Sequence, residues 1–253
     1  QITDTHLMPH GTNLHGLNPC ERLEACISSI NEFHADAELC FITGDLTDQG
    51  HRKAYHDLRE IFRQLKMPYH PLIGNHDHRE IFTEVFPEVP LDENGFVQQM
   101  LATEQGRFLL LDTVEHGKHW GSYCEKRGDW LRKQLKDAGS DAVYLFMHHP
   151  PFNIGIPSLD FLNLKNDAKR VQEIVCDFSN IKHLFFGHVH RPVSGSWHGI
   201  PFTTLRGTNH QFQLDLNAVD YLPYSHEPPA YCVIFLEHQQ TTVHFHDYLD
   251  DSL

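Results

Sequence analysis

Five short apolar runs in this chain end in carboxylate, amide or imidazole groups, several of them directly after a glycine. The opening residues lead into Asp4-Thr5-His6, and Leu39-Cys40-Phe41-Ile42 leads into Gly44-Asp45-Leu46-Thr47-Asp48. Tyr69 to Ile73 runs into Gly74-Asn75-His76-Asp77, Ala142 to Met147 into His148-His149-Pro150-Pro151, and Ile181 to Phe186 into Gly187-His188-Val189-His190. One such end would be noise, because the chain holds 22 histidines and chance clusters are common. Five that converge on one sheet edge are not accounted for by solvated loops.

Short continuous apolar runs mark strands buried on both faces. Helical spacing separates them. Asn18-Pro19 reads as an N-cap followed by proline at the first helical position, with Leu23, Cys26, Ile27, Ile30 and Phe33 on one face. Tyr55, Leu58, Ile61, Phe62 and Leu65 predict a second helix, and further helices are expected near Arg79–Phe86, around Trp130, Leu131, Gln134 and Leu135, and over Val171, Ile174, Val175 and Phe178. Phe96–Ala102 and Phe108–Asp112 read as strands joined by Glu104-Gln105-Gly106. Beyond Phe186 the pattern turns to hairpins: Val193–Trp197 with Phe202–Leu205 across His198-Gly199-Ile200-Pro201, then Tyr231–Leu236 with Thr242–Phe245. Asp215–Pro229 is polar and proline-containing, and is expected to be a long surface loop. Ile154–Leu164 reads as a substrate cap or a plain loop.

Helices alternating with buried strands predict an α/β sandwich with its helices outside. In such sheets ligands sit beyond the carboxyl ends of the strands. No internal repeat or long linker divides the chain, so one domain is expected over residues 1–253, with the hairpin region from about 193 to 253 open to pairing across a two-fold axis in a homodimer or higher oligomer.

Composition narrows the function classes. The net charge of −14 disfavours a polyanion-coating role, since nucleic-acid backbones are held by basic surfaces. An acidic chain still binds one small phosphate where a metal reverses the local field. No run is apolar and long enough to span a bilayer. The first residues carry no basic stretch or apolar signal core. They start without Met and almost at a motif, so a few upstream residues are expected to be missing. Six cysteines without a CxxC pair read as buried free thiols of a cytoplasmic protein.

Seven residues at the run ends are candidate ligands: Asp4, His6, Asp45, Asn75, His148, His188 and His190. Residues i and i+2 of an extended chain point the same way, so Asp4 with His6, and His188 with His190, are each expected to approach a shared centre. Glycines ahead of the polar groups let the backbone come close to a ligand. The donors are nitrogen and oxygen without sulfur, which suits zinc, manganese, iron, cobalt or nickel and carries too much imidazole for a calcium cage. Seven donors exceed one tetrahedral ion, and two ions sharing a bridging carboxylate would use them all. Other histidines, among them His15, His119, His183 and His238, read as surface or core. His149 reads as pointing elsewhere or supporting the centre from behind. Asp77 reads as the N-cap of the following helix.

With "DTH", "GDLTD", "GNHD", "HHPP" and "GHVH" in this order, the chain resembles the calcineurin-like metallophosphoesterase superfamily. The blocks span Asp4 to His190, about three quarters of the chain, and the ordered set is highly specific. "QITDTHL", "FMHHPP" and "GTNHQ" resemble bacterial class III cyclic-nucleotide phosphodiesterases and related glycerophosphodiesterases. The resemblance implies a two-sheet β-sandwich flanked by helices, in α/β/β/α order, with C-terminal hairpins. It implies two divalent ions (iron, manganese, zinc or cobalt), one held by Asp4, His6, Asp45 and His190, the other by Asp45, Asn75, His148 and His188, with Asp45 bridging. It further implies that His76 faces a substrate phosphoryl oxygen and helps the leaving alkoxide depart, that Asp48 orients His76 from behind, and that His210 touches the substrate alongside Asn75 and His76.

The chemistry expected of such a centre is hydrolysis of a small phosphodiester, either a cyclic nucleotide such as 3′,5′-cyclic AMP or a glycerophosphodiester, by hydroxide generated between two cations about 3.5–4 Å apart. The alternatives are a broad phosphomonoesterase, a phosphonate monoester hydrolase, a pyrophosphatase or a nuclease on the same centre. A scaffold that has lost catalysis ranks last, because every block and His76 are present. A nuclease would want a basic groove, which the acidic balance argues against.

Overall fold

The computed structural model describes residues 1–165, 167–237 and 240–249; the expectation for His238 falls outside them. Helix α1 spans Pro19–Phe33 and starts on Asn18, whose side chain accepts from the amides of Cys20 and Glu21 as the Asn-Pro pair predicts. Then follow β1 (Cys40–Thr43), α2 (Arg52–Phe62), β2 (Tyr69–Leu72), α3 (Arg79–Val85), β3 (Gln99–Thr103), β4 (Gly106–Leu111), α4 (Glu125–Ala138), β5 (Val143–Met147), α5 (Pro157–Asp160), α6 (Ala168–Cys176) and β6 (Ile181–Phe186). The last third carries β7 (Ser194–Trp197), β8 (Ile200–Thr203), β9 (Gln211–Phe212), β10 (Tyr224–Ser225), β11 (Ala230–Glu237) and β12 (Gln240–Asp247).

One sheet has six strands in the order β3-β4-β5-β6-β8-β7, parallel through its centre and antiparallel at both edges. The other is assembled around the opening residues. Ile2 bridges Ile42 of β1, which pairs with β2. On its far side the Gln1 nitrogen donates to the Cys232 carbonyl at 2.7 Å and the Cys232 amide returns to Gln1 at 2.9 Å, joining the β11–β12 hairpin to the sheet.

Period-two alternation sorts the strand residues into three apolar layers. Leu109, Leu111, Leu145, Met147, Leu184 and Phe186 face helices α4 and α6. Phe108, Leu110, Tyr144, Phe146 and Phe185 face the second sheet, where Phe41 and Leu72 meet them. Ile2, Cys40 and Ile42 face α1 and α2. This is the expected two-sheet sandwich with helices on both outer faces.

Three details depart from the sequence pattern. The hairpin after Ser194 turns on His198-Gly199 alone, both at positive φ (51° and 82°), so its second strand is Ile200–Thr203 and not Phe202–Leu205. Asp215–Pro229 is not one continuous loop, since Tyr224 and Ser225 return to pair with Phe212 and Gln211. Four of the six free cysteines are buried, while Cys124 is partly exposed and Cys176 exposed. No helix among the described residues is long and apolar enough to cross a membrane.

Candidate metal centre

The carboxyl ends of β1, β2, β5 and β6, with residues 4–6 beside them, bring all seven candidate ligands to one place. The backbone there is not extended. Asp4, His6, Asp45, His188 and His190 have φ of 50°, 42°, 47°, 67° and 51°, the left-handed region that side chains other than glycine rarely adopt. Main-chain bonds hold this conformation: the amides of Asp4, His6 and Leu7 donate to the carbonyls of Gly44, Asp45 and Leu46 at 2.8–3.0 Å. The His188 amide donates to the Asp4 carboxylate at 3.1 Å, across 184 residues of sequence. The expectation that His188 and His190 point together through extended spacing therefore fails. His190 turns toward Asp4 and His6, while His188 packs against His148 and His149.

Three imidazoles are tethered in the same way. His148 Nδ1 lies 2.8 Å from the Thr43 carbonyl, His190 Nδ1 lies 2.8 Å from the His210 carbonyl, and His6 Nδ1 lies 3.1 Å from an Asp48 carboxylate oxygen. Carbonyl and carboxylate oxygens only accept, so each Nδ1 carries a proton, and in this tautomer it is Nε2 that is left to bind a cation or a second proton. Those Nε2 atoms face other acceptors. His6 Nε2 is 3.2 Å from His190 Nε2 and 3.5 Å from Asp45 Oδ2; His190 Nε2 is 3.3 Å from Asp4 Oδ1. His148 Nε2 is 3.2 Å from Asn75 Oδ1 and 3.3 Å from Asp45 Oδ2. Among the described residues, buried His188 Nε2 has no hydrogen-bond partner. Acceptors that face acceptors in a buried place fit cations, and the donors separate into an Asp4, His6, Asp45, His190 set and an Asp45, Asn75, His148 set beside His188. Asp45 is common to both.

Glycine makes the approach possible. A Cβ on Gly74 would lie 2.3 Å from the Asp45 amide nitrogen and 2.8 Å from the His148 ring, so no larger residue fits between these two ligands. Asp77 performs a different task from the expected helix cap. Its carboxylate turns back to accept from the amides of Leu46, Thr47 and Gly74 at 2.9, 3.0 and 2.9 Å, and from Tyr55 Oη at 2.9 Å. It thereby ties the loop carrying Asp45 to the loop carrying Asn75, and α3 begins on His78 without a side-chain cap.

Electrostatics reflect a crowded buried cluster. Burial works against ionisation of Asp45, but His148 and His76 outweigh it and hold its carboxyl well below the usual range. Burial likewise opposes a charged His148, yet Asp45 lifts it to about 9, so with no cation between them a proton on Nε2 joins the pair at 3.3 Å. Burial and the neighbouring His148 push His188 down to about 3. Asp77 is pushed up to about 6, by burial and by Asp45.

His76 stands at the mouth of the centre. Its amide donates to Asp45 Oδ1 at 2.9 Å, and its Nδ1 is held at 2.8 Å by the Asp48 backbone carbonyl. The Asp48 carboxylate is 3.7 Å from that nitrogen and closer to His6, so the group behind His76 is a carbonyl where the resemblance implied a carboxylate. His210 packs its ring against His6 and His190. His15 and His119, read from sequence as surface or core, line the same cavity of about 270 Å³. Helix α5 and the residues after it line it too, through Leu159 and Leu162, as do β9, β10 and the segment between them, through Phe212, Leu222 and Tyr224. No run of apolar residues followed by ligand types marks these positions in the sequence. His149 is buried behind the centre, with Nδ1 on Thr113 Oγ1 at 2.7 Å.

A profile of the family described as Calcineurin-like phosphoesterase matches residues 1–192. The chain is 39% identical over 255 residues to a probable cyclic nucleotide phosphodiesterase of Rhodopseudomonas palustris, across 99% of this chain and 92% of that one. It is 32% identical over 247 residues to a probable glycerophosphodiester phosphodiesterase of Arcobacter nitrofigilis, across 96% and 90%. Among solved structures, a dimetal phosphatase from Danio rerio superposes with a TM-score of 0.65 over 85% of this chain and 92% of that one; at 14% identity the likeness bears on the fold alone.

Proposed function

The chain belongs to the calcineurin-like phosphoesterase family, and on that premise we propose that it is a two-metal phosphodiesterase acting on small diesters, either cyclic nucleotides or glycerophosphodiesters. Asp4, His6, Asp45 and His190 would hold one divalent ion. Asp45, Asn75, His148 and His188 would hold the other. The observation that carries the reading is the set of Nε2 atoms, each on a ring whose Nδ1 is tied to an acceptor, converging on one another and on carboxylate and amide oxygens within 3.2–3.5 Å. Bound ions supply charge neutralisation of the anionic ester and lower the pKa of a coordinated water toward neutrality.

The chain's own residues supply the rest. Asp48 and the carbonyls of Thr43 and His210 fix the ring orientation and tautomer of three ligands. His76, anchored by Nδ1 on the Asp48 carbonyl, presents its other edge to the cavity, where it would contact a phosphoryl oxygen and protonate the departing alkoxide. A diester needs that proton because an alkoxide is a poor leaving group. Asn75 and His210, at the same opening, would contact the substrate beside it.

Residues 1–253 are proposed to work as one domain in the cytoplasm, in keeping with the free cysteines. The edge strands β7 and β12 are the elements open to self-association.

Reconstitution of metal-stripped protein with manganese, zinc, cobalt or iron tests the reading, with bis-p-nitrophenyl phosphate, p-nitrophenyl phosphate, cyclic AMP and glycerophosphoethanolamine as substrates. Diester turnover above monoester turnover is expected. No turnover with any of these metals would refute it.

A further inference from the structure

One ligand imidazole, His190, is held by contacts that reach as far as the C-terminal hairpin. His190 and Arg191 are consecutive, and both grip the backbone at β9. His190 Nδ1 lies 2.8 Å from the His210 carbonyl, and Arg191 Nη1 donates to the Phe212 carbonyl at 2.6 Å. The same Nη1 donates to Glu227 Oε1 at 3.1 Å. The other Glu227 oxygen is 3.4 Å from Arg206 Nη2, and Arg206 Nη1 donates to both carboxylate oxygens of Asp247, at 2.9 Å each. Arg191, Glu227, Arg206 and Asp247 therefore form one row of alternating charge. They come from the loop after β6, the stretch between β10 and β11, the loop after β8 and the end of β12. All four are partly buried, where charges are screened less than on open surface.

The loop that this row pins lies directly on the first ligand set. A Cβ on Gly207 would come within 3.0 Å of Asp4 Cβ and 3.3 Å of His190 Nδ1. Gln211 closes the loop, accepting from the Gly207 amide at 2.9 Å and donating to its carbonyl at 2.8 Å. Arg22 Nε and Tyr248 Oη both donate to the Thr208 carbonyl, at 3.1 and 3.2 Å. His148, in the other ligand set, is tethered instead to Thr43 at the end of β1.

We propose that Glu227 is a positioning residue for the first divalent ion. Through Arg191 it holds β9, and with it the His210 carbonyl that orients His190. Its charge therefore sets the affinity of the Asp4, His6, Asp45 and His190 site and leaves the Asn75, His148 and His188 side unchanged. Glu227 does not line the cavity, so it acts through what it holds. The inference rests on the two-ion reading of the centre.

The test is manganese binding to metal-stripped protein, followed by calorimetry and by electron paramagnetic resonance, in the wild type and in Glu227→Gln, which keeps the size and removes the charge. One of the two binding steps is expected to weaken about tenfold, as when an outer partner of a metal ligand is lost, while the other stays within twofold. At manganese levels that fill the wild-type pair, the spin-coupled signal of two ions should give way to that of one. Two steps both within twofold of wild type overturn the proposal. So does an equal fall in both steps with a lower melting temperature of the metal-free protein, which would mark general loosening. In an Arg191→Gln background the same Glu227→Gln change should alter affinity by less than about twofold, because couplings through a shared partner are not additive. A repeat of the full loss there overturns the route through Arg191. A wild type that binds no manganese overturns the two-ion reading together with this one, whereas wild-type binding that Glu227→Gln leaves intact overturns this one alone.

Discussion

Replacement of Asp77 by alanine is the sharpest probe of how the metal centre is held. In the native fold one carboxylate satisfies three buried main-chain amides, those of Leu46, Thr47 and Gly74, as well as the Tyr55 hydroxyl. Asp77→Ala leaves all of them without that acceptor. A buried donor left unpaired costs about 1–3 kcal/mol. The Tyr55 hydroxyl can rotate to another partner, but the three amides are fixed by the backbone. Since neighbouring losses are not additive and water can enter the space vacated, the net destabilisation is expected near 4 kcal/mol. That is a large share of the roughly 5–15 kcal/mol that keeps a typical domain folded. Asp77→Asn should cost only about 1–2 kcal/mol. Its oxygen can keep the Leu46 and Gly74 amides while its NH2 donates to Tyr55 Oη and Thr47 Oγ1, so only the Thr47 amide loses its acceptor. Urea unfolding at neutral pH, followed by tryptophan fluorescence, measures both variants. Because Asp77 joins the two ligand loops, manganese affinity should fall in the same order, alanine below asparagine below wild type. An Asp77→Ala protein within about 1 kcal/mol of wild type would refute the clamp.

Four further outcomes are expected. His76→Ala should retain its metal content, read by elemental analysis, while diester turnover falls about 10²–10⁴-fold; unchanged rates would remove His76 from the mechanism. Asp45→Ala should lose metal and activity together, and retention of both ions at full occupancy would disprove its bridging position. Gly74→Ala places a Cβ 2.3 Å from the Asp45 nitrogen, so loss of metal binding with at least about 1–3 kcal/mol of strain is expected, measured by calorimetry and thermal melting. His183 is buried with Nε2 2.8 Å from Thr203 Oγ1, and burial pushes its pKa from the usual 6.5 down to about 4. The folded ring therefore stays neutral where the unfolded chain binds a proton. Its stabilisation is present above pH 6.5 and is lost as pH falls toward 4, about 3 kcal/mol in all. Unfolding free energies across that window should be less pH-dependent in His183→Gln, and an identical slope would count against this assignment.

Much of the architecture was legible because it depends on short-range periodicity. Alternation along β4, β5 and β6 separates one apolar layer from the next, and the Asn18-Pro19 pair announces α1. The seven candidate ligands were legible for a similar reason: in a sheet covered on both faces, polar residues at strand ends have little else to do. The C-terminal third was harder. Its strands are short, and β9 and β10 have two residues each, below the length at which a period shows. The cavity wall was invisible in sequence, since His15, Leu159 and Tyr224 lie in unrelated local patterns.

By itself the sequence determined which residue types stand at the ends of the buried runs, and therefore that oxygen and imidazole donors meet at one edge of a sandwich. Only the tertiary structure decided how they divide. Left-handed backbone at His188 and His190 turns these near neighbours in sequence toward different partners. The acceptors that set each imidazole tautomer are carbonyls and a carboxylate 20 to 105 residues away. Those choices rest on long-range packing and main-chain bonding, which no local pattern of side chains encodes.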